Sequence, residues 1–380
     1  MTKSDDKKSN KIRVAVLYGG RSAEHEVSLL SAANVIQYLD PAQFEVVPMG
    51  IDKQGNWFLG KDVFLKSLEN KKVPKLYDSM NTWFTPEWIG KPVDQTFLPE
   101  KINSSHESSA FDVVFPAVHG TLCEDGALQG LLELAGVPYV GCGVLSSAIG
   151  MDKDISKRLV SQVGIAFAPY VVIKQEQWKN NPAHFSKHIQ EKLSYPVFVK
   201  PVNTGSSIGI TKVKTEDQLS SAIEEAFQFD VKVIVEKALD IFELEVAVLE
   251  SLESNGEPIV SVVGEIKPRH EFYSYDAKYI DENGAELIIP AQIPSDIQEK
   301  ARQMAKEIFS VLECEGMARV DLFLDKKTQQ IYFNEINTIP GFTKISMYPK
   351  LMQASGIDYT ALLSHLIHLA MKKHGQKRQL

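Results

Sequence analysis

The sequence predicts an α/β domain at its N-terminal end, followed by α+β units, and three stretches carry that expectation. Residues 11–51 read as strand, glycine turn, helix and strand, the opening half of a Rossmann-like domain. Residues 197–239 read as strand, glycine-rich loop, strand, helix and strand. Residues 317–341, MARVDLFLDKKTQQIYFNEINTIPG, place two Val/Ile/Leu/Phe-rich runs around a polar turn and read as a β-hairpin. A length of 380 residues suits two or three domains with a full core.

The elements follow in order. KIRVAVLYGG is an unbroken apolar run, as in buried parallel strands, and ends in a glycine turn. RSAEHEVSLLSAANVIQYLD is helical, with Val27, Leu30, Ala33 or Asn34, and Leu39 spaced for one buried face. FEVVPMGI is the next strand. The turn is GGRS and not GxGxxG, so a nicotinamide or flavin dinucleotide is not expected. GNWFLG reads as a short strand, and 75–110 as an irregular insertion. FDVVFPAVHG resumes the sheet and ends at His119; EDGALQGLLELAG is a helix and PYVGCG a short strand. Open α/β sheets bind ligands beyond the carboxyl ends of their strands, where Glu24, Glu26 and His119 fall. Glu26 reads as a helix-start acid.

VLSSAIGMDKDISKRLVSQVG reads as one helical run. TEDQLSSAIEEAFQ is a helix between the strands of the second unit, which ends in VKVIVEKAL. ELEVAVLES and IVSVVGEI pair through the turn ESNGEP. KPRHEFYSYDAKYIDENGAE is polar and non-periodic, the mark of a lid or binding loop. SDIQEKARQMAKEIFSVLECEG is amphipathic, with Ile297, Ala301, Met304, Ile308 and Leu312 as its buried stripe. IDYTALLSHLIHLAMKK closes the chain as a helix, with HGQKRQL fraying beyond it.

Composition narrows the function. The chain is 44% hydrophobic and 24% charged, an ordinary globular balance. A net charge of −8 without a basic face argues against nucleic acid as the main partner. Cys123, Cys142 and Cys314 are too scattered for a disulfide frame or zinc site and read as free thiols of a reducing compartment. No apolar run reaches the ~18 residues needed to span a bilayer, and MTKSDDKKSNK lacks the apolar region of a signal peptide. These features point to the cytoplasm and away from a membrane.

The hairpin carries the chemistry. A turn centred on Lys327 and Thr328 is expected to set Asp321 opposite Glu335, with Asn337 and Arg319 on the same face. Val320, Leu322, Phe333 and Ile336 point the other way. A lone Asp/Glu pair is ordinarily a solvated surface pair, but here four polar groups share one face. Opposed carboxylates call for a cation between them, and hard oxygen donors suit Mg²⁺. The loop NTGSSIG, anchored by Lys200, offers backbone N–H groups to phosphate. Lys153, Lys237 and Lys278 add positive charge, and VEKAL reads as an edge strand that could bond an adenine through its backbone. Together these describe a nucleoside triphosphate site. No GxxxxGK[ST] occurs, so it is not a P-loop.

The motifs GGRSAEHEVSL, HGTLCEDGALQG, GMDKDISK, FVKPVNTGSSIG, VEKAL, YDAKY, RVDLFL and NEINTIPGFTKISMYP, in this order, resemble the D-alanine–D-alanine ligases of the ATP-grasp superfamily over residues 11–373. The resemblance implies an ATP-grasp fold preceded by a Rossmann-like (pre-ATP-grasp) domain. The N-terminal domain would span 1–142, with the insertion at 75–110. A small ATP-grasp domain would span 143–237, and a C-terminal domain with the lid and metal site 238–380.

The resemblance also implies that ATP phosphorylates the carboxylate of one D-alanine and that the amine of a second attacks the resulting acyl phosphate, supplying peptidoglycan precursors. It assigns Asp321, Glu335 and Asn337 to Mg²⁺, as two ions, with Mn²⁺ able to substitute. Lys153, Lys200, Lys278 and Ser207 go to the phosphates, with Lys278 also beside the substrates. Glu236, Lys237, Leu239 and Glu243 go to adenine and ribose. Arg319 and the Gly341 N–H would stabilise the oxyanion, Glu24 would take the first ammonium, and His119 would lie near the substrates. Ser346 and Met347 would hold the second carboxylate. Ser206 and Tyr279 would latch the lid with Glu24. A homodimer is implied as well. The rivals are a D-alanine–D-lactate or D-alanine–D-serine ligase, another ATP-grasp carboxylate–amine ligase, and a nucleotide-binding regulator without turnover. Relatives using D-lactate tend to replace the lid tyrosine, so Tyr279 favours the dipeptide.

Overall fold

A computed structural model describes residues 11–22, 24–59, 111–268 and 285–377. The 75–110 insertion, Lys278 and Tyr279 lie outside the described residues.

The first unit forms as its apolar patterning dictates. Strand β1 (Ile12–Gly19) pairs in parallel with β2 (Phe44–Ile51) and β4 (Val113–Pro116), while β3 (Trp57–Leu59) runs antiparallel at the edge. The order is β3-β2-β1-β4. Helix α1 (His25–Tyr38) packs on β1, and α2 (Ala127–Leu134) follows β4. The expected face of α1 holds at Val27, Asn34 and Leu39 and fails at Leu30, which is exposed, while Leu29, Ala32 and Val35 are buried as well. The helix is covered by both the sheet and the closing helix, so its buried side is wider than a single stripe. PYVGCG contributes only a bridge between Val114 and Tyr139.

The single helical run expected around GMDKDISK is two helices, α3 (Val144–Met151) and α4 (Lys153–Ser161). Asp152 separates them: its backbone is extended, and its side chain caps α4 by accepting from the N–H groups of Asp154 and Ile155. A short capping acid outcompetes helix continuation here.

The middle unit is an antiparallel sheet ordered β5-β8-β6-β7, from β5 (Tyr170–Lys174), β6 (Val197–Pro201), β7 (Thr211–Val213) and β8 (Lys232–Lys237). Helices α5 (Gln175–Asn180), α6 (Pro182–Leu193) and α7 (Leu219–Ala226) accompany it, and Trp178, Ile189, Leu193, Leu219 and Ile223 are buried in its core.

The third sheet is ordered β11-β10-β9-β12-β13: β9 (Ile241–Leu249), β10 (Ile259–Pro268), β11 (Ala285–Ile288), β12 (Met317–Asp325) and β13 (Ile331–Asn337). Helix α8 (Ser295–Val311) lies against it and buries Ile297, Ala301, Ile308 and, just beyond its end, Leu312, with Ala305 where Met304 was expected. Helix α9 (Met347–Ala354) packs on β9 and β10, and α10 (Tyr359–Lys377) on α1 and β4. The HGQK stretch does not fray. It continues α10, and Lys377 reaches Glu133 at 2.7 Å. Among the described residues no helix is long and apolar enough to cross a membrane.

Candidate active site

The hairpin forms, but its register has a cause the sequence reading missed. From Leu324↔Ile331 to Leu322↔Phe333 the ladder is regular, and continuing it would set Asp321 opposite Asn334. A bulge at that point leaves Asn334 over and brings Asp321 opposite Glu335 and Arg319 opposite Asn337. The turn centred on Lys327 and Thr328 therefore does not by itself produce the expected pairing. The physical reason is burial. A straight ladder would turn Glu335 and Asn337 into the core and Ile336 out, because strand side chains alternate. The extra residue keeps Phe333 and Ile336 inside and sends the polar groups into the cleft.

On that face Arg319 grips Asp321 with two parallel bonds of 2.7 Å and lies 3.0 Å from Glu245. Asn337 donates to Asp321 at 3.0 Å, and Lys153 lies 3.2 Å from Glu335. Glu245, on β9 opposite Asp321, was absent from the sequence-based set; the two-residue strand period from Glu243 is the signal for it. Among the described residues no cluster of three or more His, Cys, Asp and Glu side chains converges as a metal would need. A cation here would rest on two carboxylates and the Asn337 amide. These are hard oxygen donors that fit Mg²⁺, with its other positions left to water and phosphate.

A cleft of about 490 Å³ runs from this hairpin between the two antiparallel sheets. Lys153, Lys200, Ser207, Glu236, Lys237, Leu239, Glu243, Asp321 and Glu335 all line it. At its floor Glu236 is buried between Lys200, which donates to it, and Lys157 at 3.1 Å. Burial opposes the charge on Glu236, yet the two ammonium groups overcome it and hold its carboxyl down to about 2. Burial pushes the Lys157 ammonium below the usual lysine range, with Glu236 opposing. Lys157 also donates to the backbone carbonyl of Asn334, at 2.7 Å, and so ties α4 to both sheets. It too was missed, though its spacing of four from Lys153 on one helix face pointed to it.

The glycine–serine loop crosses from this cleft to the first domain. Ser206 and Ser207 take positive φ (51° and 59°), turning the loop tightly, and Lys153 donates to the Thr204 carbonyl at 2.7 Å. Ser206 donates to Glu24, which is buried. A Cβ on Gly120 would sit 2.6 Å from Glu24 Oε2 and one on Gly205 3.2 Å from it, so glycines wall that carboxylate. His119 is buried beside it. Its Nδ1 is 3.7 Å from Glu124, and its Nε2 is 2.9 Å from Ser31. Burial lowers the imidazole's basicity, but Glu124 and then Glu24 outweigh it, and the ring stays protonated to higher pH than usual.

Gly341 lies against Ser346, whose Oγ would be 2.7 Å from an added Cβ. Ser346 accepts from the Thr343 N–H at 2.9 Å and starts α9, with Met347 buried at its first position. Among the described residues the expected side chains thus fall into two groups: those lining the cleft, and Glu24, His119, Gly341 and Ser346, connected through Ser31, Gly120 and the Phe342 backbone.

Two family models match the chain: D-ala D-ala ligase N-terminus over residues 13–142 and D-ala D-ala ligase C-terminus over 159–368. The chain belongs to the D-alanine–D-alanine ligase family. The D-alanine–D-alanine ligase A of Bradyrhizobium diazoefficiens is 49% identical over 376 residues, covering 98% of each chain. The D-alanine–D-alanine ligase of Caldicellulosiruptor bescii is 47% identical, covering 97% of this chain and 98% of its own. Among solved structures, the ligase of Coxiella burnetii superposes with a TM-score of 0.77 at 33% identity and 97% coverage of both chains. The VanG D-Ala:D-Ser ligase of Enterococcus faecalis matches with the same TM-score of 0.77 at 37% identity, over 95% of this chain and 99% of that one. The architecture is the ATP-grasp fold of this ligase family, preceded by a Rossmann-like domain.

Proposed function

We propose that the protein joins two D-alanine molecules into D-alanyl-D-alanine at the expense of ATP, as a cytoplasmic supplier of peptidoglycan precursors. One juxtaposition supports this above all. The cleft holding the opposed Asp321 and Glu335 is linked by a single loop to the buried Glu24, through the Ser206 contact. A terminal phosphate and an amino-acid carboxylate would meet where the two spaces join. Near-identical length and 49% identity to a D-alanine–D-alanine ligase support it further.

In this reading Lys153, Lys200 and Ser207 take the phosphates, with Lys278. Glu236, Lys237, Leu239 and Glu243 surround the adenosine. Asp321, Glu335 and Asn337 would hold Mg²⁺, as two ions or with Mn²⁺ in its place, which when bound supplies charge neutralisation for the transferring phosphoryl group. An oxygen of the first D-alanine carboxylate attacks the γ-phosphorus, giving an acyl phosphate and ADP. The second amine then attacks the acyl carbon, the amine proton is lost, and phosphate leaves with the broken C–O bond. Arg319 and the Gly341 N–H face the oxyanion of that addition. Glu24 receives the first ammonium, Ser346 and Met347 the second carboxylate at the start of α9, and His119 handles protons near neutral pH. Ser206 and Tyr279 secure the lid. The division at 142 and 237 and a homodimeric assembly complete the proposal.

Phosphate release with D-alanine, L-alanine and D-lactate, each with and without Mg²⁺, tests it. Release confined to D-alanine plus Mg²⁺ is expected, and no release with D-alanine would overturn the reading. The likeness to a D-Ala:D-Ser ligase makes D-serine as second substrate the alternative. Mixed-product analysis with D-alanine and D-serine together separates the two.

A further inference from the structure

Gly341 enters the site from the C-terminal third of the chain, and His119 from the N-terminal third. Ser31, on α1 and fully buried, stands between them. Its Oγ is 2.9 Å from His119 Nε2 and accepts the Phe342 N–H at 3.3 Å. The Phe342 carbonyl accepts from Asn34 Nδ2 at 3.0 Å and from the Tyr359 hydroxyl at 2.6 Å. The residue next to Gly341 is therefore held at both backbone ends, and one of its holders is the histidine's own partner.

We infer that Ser31 is a positioning residue that transmits the proton state of His119 to the backbone at Gly341 and Phe342. This rests on the ligase reading for its catalytic meaning. A hydroxyl has one proton and two lone pairs. One lone pair receives the Phe342 N–H. When His119 is neutral with its proton on Nδ1, the Ser31 proton goes to Nε2. When His119 is protonated both ring nitrogens donate, so Oγ must accept a second bond. Its own proton then turns to the carbonyl four residues back in the helix, that of Val27. A cationic N–H and the Phe342 N–H then share one oxygen, and the weaker neutral donor is displaced first. The groups around the imidazole are Glu124 at 3.7 Å, the Glu24 carboxylate, the backbone of Ile339 and Ser31 itself. Glu124, Glu24 and the Ile339 backbone favour the charged ring, and of these four neighbours Ser31 is the one that also bonds Phe342.

The test follows the Phe342 amide and the His119 ring by NMR against pH in the ¹⁵N-labelled full chain. In the unsubstituted protein the Phe342 amide shift is expected to follow the His119 midpoint; a flat amide response overturns the inference. Ser31→Ala should abolish that response. It should lower the midpoint by about half a unit to one unit, since a charged donor loses more than a neutral acceptor, and reduce kcat about tenfold with KM for ATP unchanged. Ser31→Thr keeps the hydroxyl and should keep the midpoint. Asn34→Ala loosens the same peptide without touching His119, so it should lower kcat and leave the midpoint in place. A midpoint unmoved in Ser31→Ala, or moved equally in Asn34→Ala, would mean general packing and overturn the inference. The amide titration needs no turnover, so a protein inactive toward D-alanine would refute the ligase reading while the coupling stood or fell separately.

Discussion

In the phosphate half of the site, Asp321 meets Arg319, Glu335 meets Lys153, and Glu236 meets Lys157 and Lys200. In the amino-acid half, Glu24 and Glu124 meet the Ser206 hydroxyl, the Gly120 N–H and the His119 ring. The first half balances acids with arginine and lysine cations, which in the proposed reaction a triphosphate and its metal would recruit by exchanging partners. The described partners of the second are neutral dipoles and one titratable ring, and in the proposed reaction this half takes up an ammonium. Positioning for phosphoryl transfer should therefore be indifferent to pH across the neutral range, while handling of the amine should not.

The largest break in this contrast is Glu335→Gln. It removes one charge proposed to face the metal and should cut phosphate release on the order of a thousandfold with an unchanged circular dichroism spectrum; normal turnover would mean the hairpin has another role. Glu236→Gln comes next, leaving two lysines without their shared acid, at a cost to stability of about 3 kcal/mol in urea unfolding. Because the Glu236 carboxyl is held down to about 2, its contribution is complete above the ordinary carboxylate range and is lost as pH falls toward about 2. The stability difference from Glu236→Gln should shrink over that window and stay constant from pH 6 to 8.

Glu124→Gln sharpens the other half. It should lower the His119 midpoint by about one unit in a histidine NMR titration, without altering ATP affinity. The raised midpoint means the ring's charge stabilises the fold below the ordinary histidine range, and that stabilisation fades as pH rises through the raised value. The smallest effect belongs to Glu26→Ala. Glu26 pairs with Lys53 at 2.7 Å on the surface, and its loss should change stability by at most about 0.5 kcal/mol and leave turnover intact. A large loss there would blur the line between Glu26 and its buried neighbour Glu24.

What was legible in the sequence follows from period and chemistry. Strand alternation set Arg319 with Asp321 and Glu335 with Asn337, and the loop and lysine spacings found the cleft. What escaped depended on contacts far apart in the chain. The full width of the α1 face was missed because α10, which covers its other side, lies more than 300 residues on. The break at Asp152 was hidden because no proline marks it and the polar run at 152–154 reads as one exposed turn of a continuing helix. The bulge at Asn334 arose from a conflict between turn position and burial, which no local propensity records. Lys157, Ser31 and Glu124 were passed over because a lysine, a serine and a loop acid look like solvated surface until the strands they underlie are in place.

The hitch at Asn334 also separates two indexing systems on one strand. Beyond it, Glu335 and Asn337 are registered by Asp321 and Arg319, which β9 holds along the whole length of β12. Before it, the exposed tip at 326–330 is registered by its own short ladder and by Lys326, which bonds Asp240 through its backbone N–H and its ammonium. The tip is thus a place to graft a reporter or an affinity handle, since lengthening it would not re-number the residues proposed to face the ion.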